Sequence, residues 1–199
     1  MKQKHGNLAN LRLKKFKIDD IELINFVNLN KDEKNIVLKM RNHDTVRKWM
    51  YNNRIISPHE HYRFIWSLKK DSKNFYFLVR RQNKFMGVVY LTRVDFMNRN
   101  GYLGLYANPF FSEKKIGTIL GNILLKLAFD IAGLHTLKLE VIEDNERAIH
   151  LYKKLGFVEE GRLREFVFRD GKWKDVIIMG MTEEEYRRKR HESGVENRR

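Results

Sequence analysis

The chain predicts a mixed α/β sheet covered by helices, and three observations lead there. Short runs with apolar residues at every second position alternate along the chain with longer runs whose apolar residues recur at helical spacing. Turn and cap signals fall at the joints between these runs. No internal repeat and no Pro/Gly/Ser linker interrupts them, and only two prolines occur among 199 residues, so one domain with a single continuous core is expected.

Taken in order, residues 1–17 are basic and weakly patterned, and are expected to be a frayed extension. The folded domain is expected over residues 18–182. "IELINFVNL" reads as a strand and "KDEKNIVLKMRNHDTVRKWMYN" as a helix. "SPHEHYRFIWSLKKD" is a second helix, with Ser57 as N-cap, Pro58 in the first turn and Glu60 completing a capping box. "NFYFLVRR" and "KFMGVVYLTRV" are strands joined by the turn Gln82-Asn83, and "GYLGLYANP" is a third. "KIGTILGNILLKLAFDIA" gives a long helix and "HTLKLEVIE" a strand. "NERAIHLYKKLGF" is an amphipathic helix stopped by Gly156, and "FVEEGRLREFVFRDGKWKDVIIMGM" a hairpin turning at Asp170-Gly171. The expected order is β-αα-βββ-α-β-α-ββ. Residues 183–199 form a charged tail, a short helix that is expected to fray.

Composition limits the chemistry. Hydrophobic residues make up 42% and aromatics 12%, which is globular rather than disordered composition. No apolar run reaches the roughly 18 residues of a membrane span, and the N-terminus lacks the apolar core of a signal peptide, so the chain reads as soluble and cytoplasmic, without membrane contact. The absence of cysteine removes disulfides, thiolate metal sites and acyl-cysteine intermediates. His43, His59 and His61 have the wrong spacing for one helix face, so no metal is expected. The net charge of +15 fits three readings: nucleic-acid binding, capture of small polyanions, or a solvated lysine-rich surface.

The helix from Asn145 to Phe157 poses a specific question. A phenol, Tyr152, stands in its apolar stripe, and a buried phenol needs a hydrogen-bond partner that leucine would not. The pattern Asn145, Ala148, Tyr152, Gly156, Phe157, together with "LYANPFFSEKKIGTIL", resembles the GNAT superfamily of N-acetyltransferases. In the second motif Ala107, Pro109 and Gly117 match, whereas Ser112 and Lys115 replace the family's Gln/Arg and first glycine. The resemblance implies an open sheet with two central strands splayed apart and acetyl-CoA as cosubstrate. It implies that Tyr152 protonates the departing thiolate and that Asn145 helps hold the pantetheine arm, an N-cap role being compatible with this. It places the backbone of Leu105 at the developing oxyanion and that of Ala107 at the pantetheine. The amides of Ile116, Gly117 and Thr118 would seat the pyrophosphate at a helix N-terminus, with Lys114 and Lys115 adding charge.

Two readings concern the acceptor. In "LKLEVIE", alternation sets Lys138 and Glu140 on the face opposite Leu137, Leu139 and Val141, which makes Glu140 either the group that accepts the amine's proton or one half of an ion pair. Upstream, Arg41-Asn42-His43, Trp49-Met50-Tyr51 and His61-x-x-Phe64, with "GYLGLY" downstream, resemble the GNAT enzymes that acetylate the 4-amino group of UDP-4-amino-4,6-dideoxy-N-acetyl-β-L-altrosamine in bacterial pseudaminic acid synthesis. On that resemblance Arg41, Met50, Tyr51, His61, Phe64, Thr92, Arg93 and Tyr102 line a nucleotide-sugar pocket, and a homodimer is compatible with it. Trp49 reads as helix core. Two alternatives stand beside it: a protein Nα-acetyltransferase of the ribosomal-protein type, which shares the Gly161–Asp175 hairpin style, and a basic nucleic-acid-binding module. The core periodicity of the aromatics disfavours the module.

Overall fold

The computed structural model describes residue 11 and residues 15–196. Strands β1 (Lys15–Ile18) and β2 (Ile21–Asn25) come first, and a 3-10 turn at Phe26–Asn28 leads into helices α1 (Lys31–Asn42), α2 (Asp44–Arg47) and α3 (Pro58–Ser67). Strands β3 (Phe75–Arg81), β4 (Lys84–Asp95) and β5 (Asn100–Ala107) follow. Helix α4 (Ile116–Leu125) runs on as a π-helical turn over Lys126–Ile131. Then come β6 (Thr136–Ile142), α5 (Glu146–Leu155), the hairpin strands β7 (Val158–Arg169) and β8 (Lys172–Thr182), and α6 (Glu183–Glu196).

The sheet order is β1-β2-β3-β4-β5-β6-β8-β7, with β5 and β6 its one parallel pair among the described residues. One core lies between the sheet and α4, α5 and α6; a second lies under α1 and α3 on the opposite face. The local signals act as read. Ser57 and Glu60 form a capping box at α3. Gly156 ends α5 in the left-handed region at φ 102°. Asp170 and Gly171 turn the last hairpin with φ 49° and 75°. In β6, Leu137, Leu139 and Val141 are buried while Lys138 and Glu140 face the other way.

The parallel pair defines the site. Asn100, Gly101 and Tyr102 pair with Thr136, Leu137 and Lys138, and pairing stops there. Beyond it β5 stays with β4 as far as Ala107↔Gly87, and β6 stays with β8 as far as Ile142↔Val176. The two strands therefore splay, leaving a wedge lined by backbone groups of β5 that β6 does not meet.

Three expectations are corrected. Residues 15–17 are not part of a frayed extension: Lys15 pairs with Ile24 in β1–β2, and the fully buried Leu11 accepts a hydrogen bond from Asn25 Nδ2 at 2.9 Å. The rest of the expected extension, residues 1–10 and 12–14, lies outside the described residues. The tail does not begin at a domain boundary either. Thr182 and Glu185 cap α6, and Tyr186 is buried, stacked on Phe129 at 4.8 Å and donating to Asp130 at 2.8 Å. Residues 197–199 lie outside the described set. Finally, the expected helix across residues 31–52 breaks at His43, whose ring caps the Thr45 amide. The Asn42 side chain bonds the backbone of Ile56 in both directions, at 2.8 and 2.9 Å, and this long-range pairing ends the helix where local propensity would continue it.

Candidate active site

Helix α4 lets α5 approach closely because small residues face it. A Cβ on Gly121 would lie 2.4 Å from Leu155 Cδ1, so any larger residue would push the Leu155 side chain aside. The contact seats α5 against α4 and carries Tyr152 into the main core. Tyr152 is 7% exposed, with its ring edge-on to Phe157 at 5.8 Å. Its hydroxyl makes no hydrogen bond among the described residues. Burial, and then the nearby Tyr90 phenol, raise its pKa above the ordinary value of 10, so the group holds its proton at neutral pH. Asn145 caps α5 by accepting from the Ala148 amide at 3.3 Å.

The start of α4 carries no side-chain cap and leaves backbone amides uncommitted among the described residues. Lys115 occupies the N-cap position in the left-handed region at φ 61° and makes no side-chain cap. Left-handed backbone costs a non-glycine residue roughly 1–2 kcal/mol, which is why a glycine is usual at such a position. The Ile116 amide is occupied by the Glu113 carbonyl at 3.3 Å, whereas those of Gly117 and Thr118 have no acceptor among the described residues. Glu113 itself is held by Arg81. Lys114 and Lys115 are exposed beside these amides. Of the three predicted amides, two are therefore uncommitted among the described residues.

Around Glu140 on β6, four of the predicted residues converge. The Tyr51 hydroxyl donates to Glu140 Oε2 at 2.6 Å, and Arg93 Nη2 lies 2.9 Å from Glu140 Oε1. The Arg93 guanidinium stacks 4.0 Å from the centre of the Tyr102 ring. Arg93 sits at a register shift with φ 52°, where Asn74 Oδ1 accepts from its amide at 3.1 Å, and Thr92 pairs with Tyr102 next to it. Burial, followed by the hydrogen bond to Glu140, raises the Tyr51 pKa. Lys138 is not the partner of Glu140; it pairs with Glu160.

Arg41 lies deeper, beside the Tyr90 and Tyr106 phenols. Its Nη2 donates to the Asn52 carbonyl at 2.6 Å, and its buried Nη1 has no partner among the described residues. Phe64 packs edge-on to Tyr76 at 5.1 Å, and Tyr76 stacks on Tyr90 at 4.9 Å. His61 is placed elsewhere. It is buried between α3 and α1 with Nε2 on the Lys34 carbonyl at 3.0 Å, and burial lowers its pKa. Met50 is half-buried and offers its carbonyl to Arg169.

Sequence reasoning missed Tyr76, Tyr90, Tyr106 and Arg169. The Tyr90 ring lies across Gly104, where a Cβ would fall 2.1 Å from it, so the cross-strand pairing of a tyrosine with a glycine was the available signal. Among the described residues no group of three or more His, Asp or Glu is placed to hold a metal ion. None of their helices is long and apolar enough to cross a membrane.

A splayed parallel pair, an uncapped helix start and a buried phenol on α5 fit a thioester cosubstrate, and the chain belongs to the acetyltransferase (GNAT) family, whose pattern matches residues 41–157. It is an acetyl-CoA-dependent acetyltransferase. Among curated relatives, the Campylobacter jejuni protein named acetyltransferase PseH is 36% identical over 151 residues, covering 74% of this chain and 91% of that one. The crystal structure of Campylobacter jejuni N-acetyltransferase PseH in complex with acetyl coenzyme A matches at TM-score 0.63 and 27% identity, covering 81% of this chain and 98% of the other. Spermidine N-acetyltransferase from Vibrio cholerae, solved with CoA and spermine, matches at TM-score 0.77 and 25% identity, covering 85% and 99%.

Proposed function

We propose that the protein acetylates the 4-amino group of a UDP-linked 4-amino-4,6-dideoxy sugar of the kind used in pseudaminic acid synthesis. The observation that carries this reading is the charge of the acceptor cleft. Arg93 already neutralises Glu140, and Arg41 adds a guanidinium with an unpartnered nitrogen. A nucleoside diphosphate supplies anions for such groups, and its uracil and 6-deoxy methyl suit the Phe64–Tyr76–Tyr90 ladder and Met50.

The second reading is polyamine acetylation, favoured by the shape match to the spermidine enzyme. A polyamine needs unengaged carboxylates. Of the four acids between residues 26 and 67, Asp44 is bound to Arg47, Glu60 to Arg54, and Glu33 to the start of α1, leaving Asp32 at the exposed edge of that helix.

In the reaction so read, the sugar amine attacks the acetyl carbonyl carbon while the Leu105 amide faces the developing oxyanion. The C–S bond breaks, the sulfur takes the Tyr152 proton, and the proton lost by the amine passes to Glu140 directly or through water. Asn145 and the Ala107 backbone hold the pantetheine, and the Gly117 and Thr118 amides the pyrophosphate, beside Lys114 and Lys115. Purified protein, acetyl-CoA and either the UDP-amino-sugar or spermidine, followed by thiol release, test it. Turnover with the sugar at least tenfold above that with spermidine is expected, and the reverse preference would sink the reading.

A further inference from the structure

Residues 48–57, between α2 and α3, carry Met50 and Tyr51 but no regular structure. Their carbonyls are nevertheless ordered by arginines. Arg169 Nη2 donates to the Met50 carbonyl and, at 2.7 Å, to that of Tyr51. Arg41 Nη2 reaches the Asn52 carbonyl at 2.6 Å and Arg47 Nη1 the Asn53 carbonyl at 2.8 Å. Three guanidinium groups thus occupy four consecutive carbonyls. Arg41 and Arg47 are near in sequence and would be expected to fold back on this loop. Arg169 comes from the far end of β7.

The shape of β7 brings it there. Register shifts between Leu163 and Val167, where Glu165 takes φ 51° and its amide donates to Asp175 Oδ1 at 2.8 Å. Such a bulge bends a strand and re-aims the side chains after it. Within it Phe166 meets the Tyr51 ring edge-on at 6.1 Å, and beyond it Arg169 reaches the carbonyls. The edge strand therefore grips Tyr51 by ring and backbone, while the Tyr51 hydroxyl at the other end of the same side chain holds Glu140. Arg169 Nε is buried without a partner among the described residues, an arrangement that burdens stability and makes sense where the position it enforces is used.

We propose that Arg169 is a positioning residue that locks residues 48–57 so that Tyr51 stays on Glu140, and so governs acceptor recognition without touching acetyl-CoA binding. The inference rests on reading Tyr51 and Glu140 as acceptor-side groups. Two measurements on the full chain test it, using Arg169→Met, Arg169→Lys, Tyr51→Phe and the Tyr51→Phe/Arg169→Met double variant.

Limited trypsin digestion needs no acceptor. Lys48 and Arg54 lie in the loop, and Arg169→Met is expected to speed cleavage there about 10-fold, the scale of losing hydrogen bonds to a charged donor, with Arg169→Lys between it and wild type. Cleavage unchanged in both variants overturns the clamp. Steady-state kinetics with UDP-4-amino-4,6-dideoxy-N-acetyl-β-L-altrosamine then separates positioning from general destabilisation. The KM for the sugar should rise about 10-fold while that for acetyl-CoA stays within about twofold, and the double variant should lose no more than the worse single one. Equal rises in both KM values, or additive losses, overturn the positioning role. A wild-type enzyme inert toward this sugar would sink the reading of the acceptor instead, and the proteolysis result would still decide the clamp.

Discussion

Replacing Tyr152 with phenylalanine separates a catalytic phenol from a core one, because the structure sets the two costs apart. The hydroxyl makes no hydrogen bond among the described residues, so removing it strands no protein donor or acceptor. The stability change should stay within about 1 kcal/mol, or about 2–4 °C in Tm for a chain of this size. The ring keeps its contact with Phe157. The loss of a positioned proton donor is instead worth about 10²–10⁴-fold in kcat, or roughly 3–5 kcal/mol of barrier. Thiol release under saturating acetyl-CoA and acceptor gives kcat, and a thermal melt gives Tm. Because burial raises the Tyr152 pKa above 10, the protonated form persists, and the wild-type kcat should not fall on its account until pH passes that value. A kcat within about threefold of wild type would refute the assignment. So would a large kcat loss matched by a melting point lowered beyond about 8 °C, since destabilisation would then explain it.

Glu140→Gln should cost about 10–100-fold in kcat/KM and shift the acidic limb of its pH profile; a loss with that limb unmoved makes Glu140 a positioning group. Lys115→Gly should relieve the φ 61° backbone, and after the entropy cost of glycine the net gain is about 0.5–1 kcal/mol, read as a slightly higher Tm; a lower Tm would show that the lysine side chain holds the loop. Burial depresses the His61 pKa below its ordinary 6.5, so the stability it contributes is present above that pH and is lost as pH falls through the depressed folded value. The Tm of the wild type should therefore decline on acidification below about pH 6.5, and His61→Gln should flatten that slope; an unchanged slope would clear His61 of the effect.

The helix proposed to serve acetyl transfer was legible as a structural element because its determinants are local. Asn145, Tyr152 and Gly156 lie within one helix, where spacing fixes their relative directions, and the caps of α3 and α5 are single-turn signals. What failed was settled by distant partners. The break at His43 depends on Asn42 reaching Ile56, and the seating of Tyr186 on Phe129 crosses 57 positions of sequence by their numbering. The strand at Lys15–Ile18 was missed for another reason. Its alternation of Lys and apolar residues is visible in "KFKI", but four residues between charged neighbours give a weak signal. Arg169 and Tyr90 could not be ranked at all from sequence, since what they touch is decided by a bulge in one case and by a glycine on the adjacent strand in the other.

That asymmetry comes from how the two halves are made. The thioester side uses main-chain geometry: a splay, two uncommitted amides and a left-handed residue that tolerates even lysine. The proposed acceptor side uses side chains from α1, α3, β3, β4, β5, β6, β7 and the loop after α2, so residues there can change without a change of fold. Its deciding contact is the pair between Arg93 and Glu140. The Arg93 side chain is 57% exposed but that of Glu140 only 13%, so drawing Arg93 away leaves a largely buried carboxylate in need of a new partner. In the proposed reaction an anionic acceptor that draws Arg93 away gains a cation and offers its own amine to the carboxylate oxygen that Arg93 leaves. A cationic acceptor must compete with Arg93 for the same carboxylate and then leaves a displaced guanidinium beside its own charge. Under the proposed function, displacement of Arg93 is the step at which anionic and cationic acceptors would part, whereas the fold, shared with relatives of both kinds, does not distinguish them.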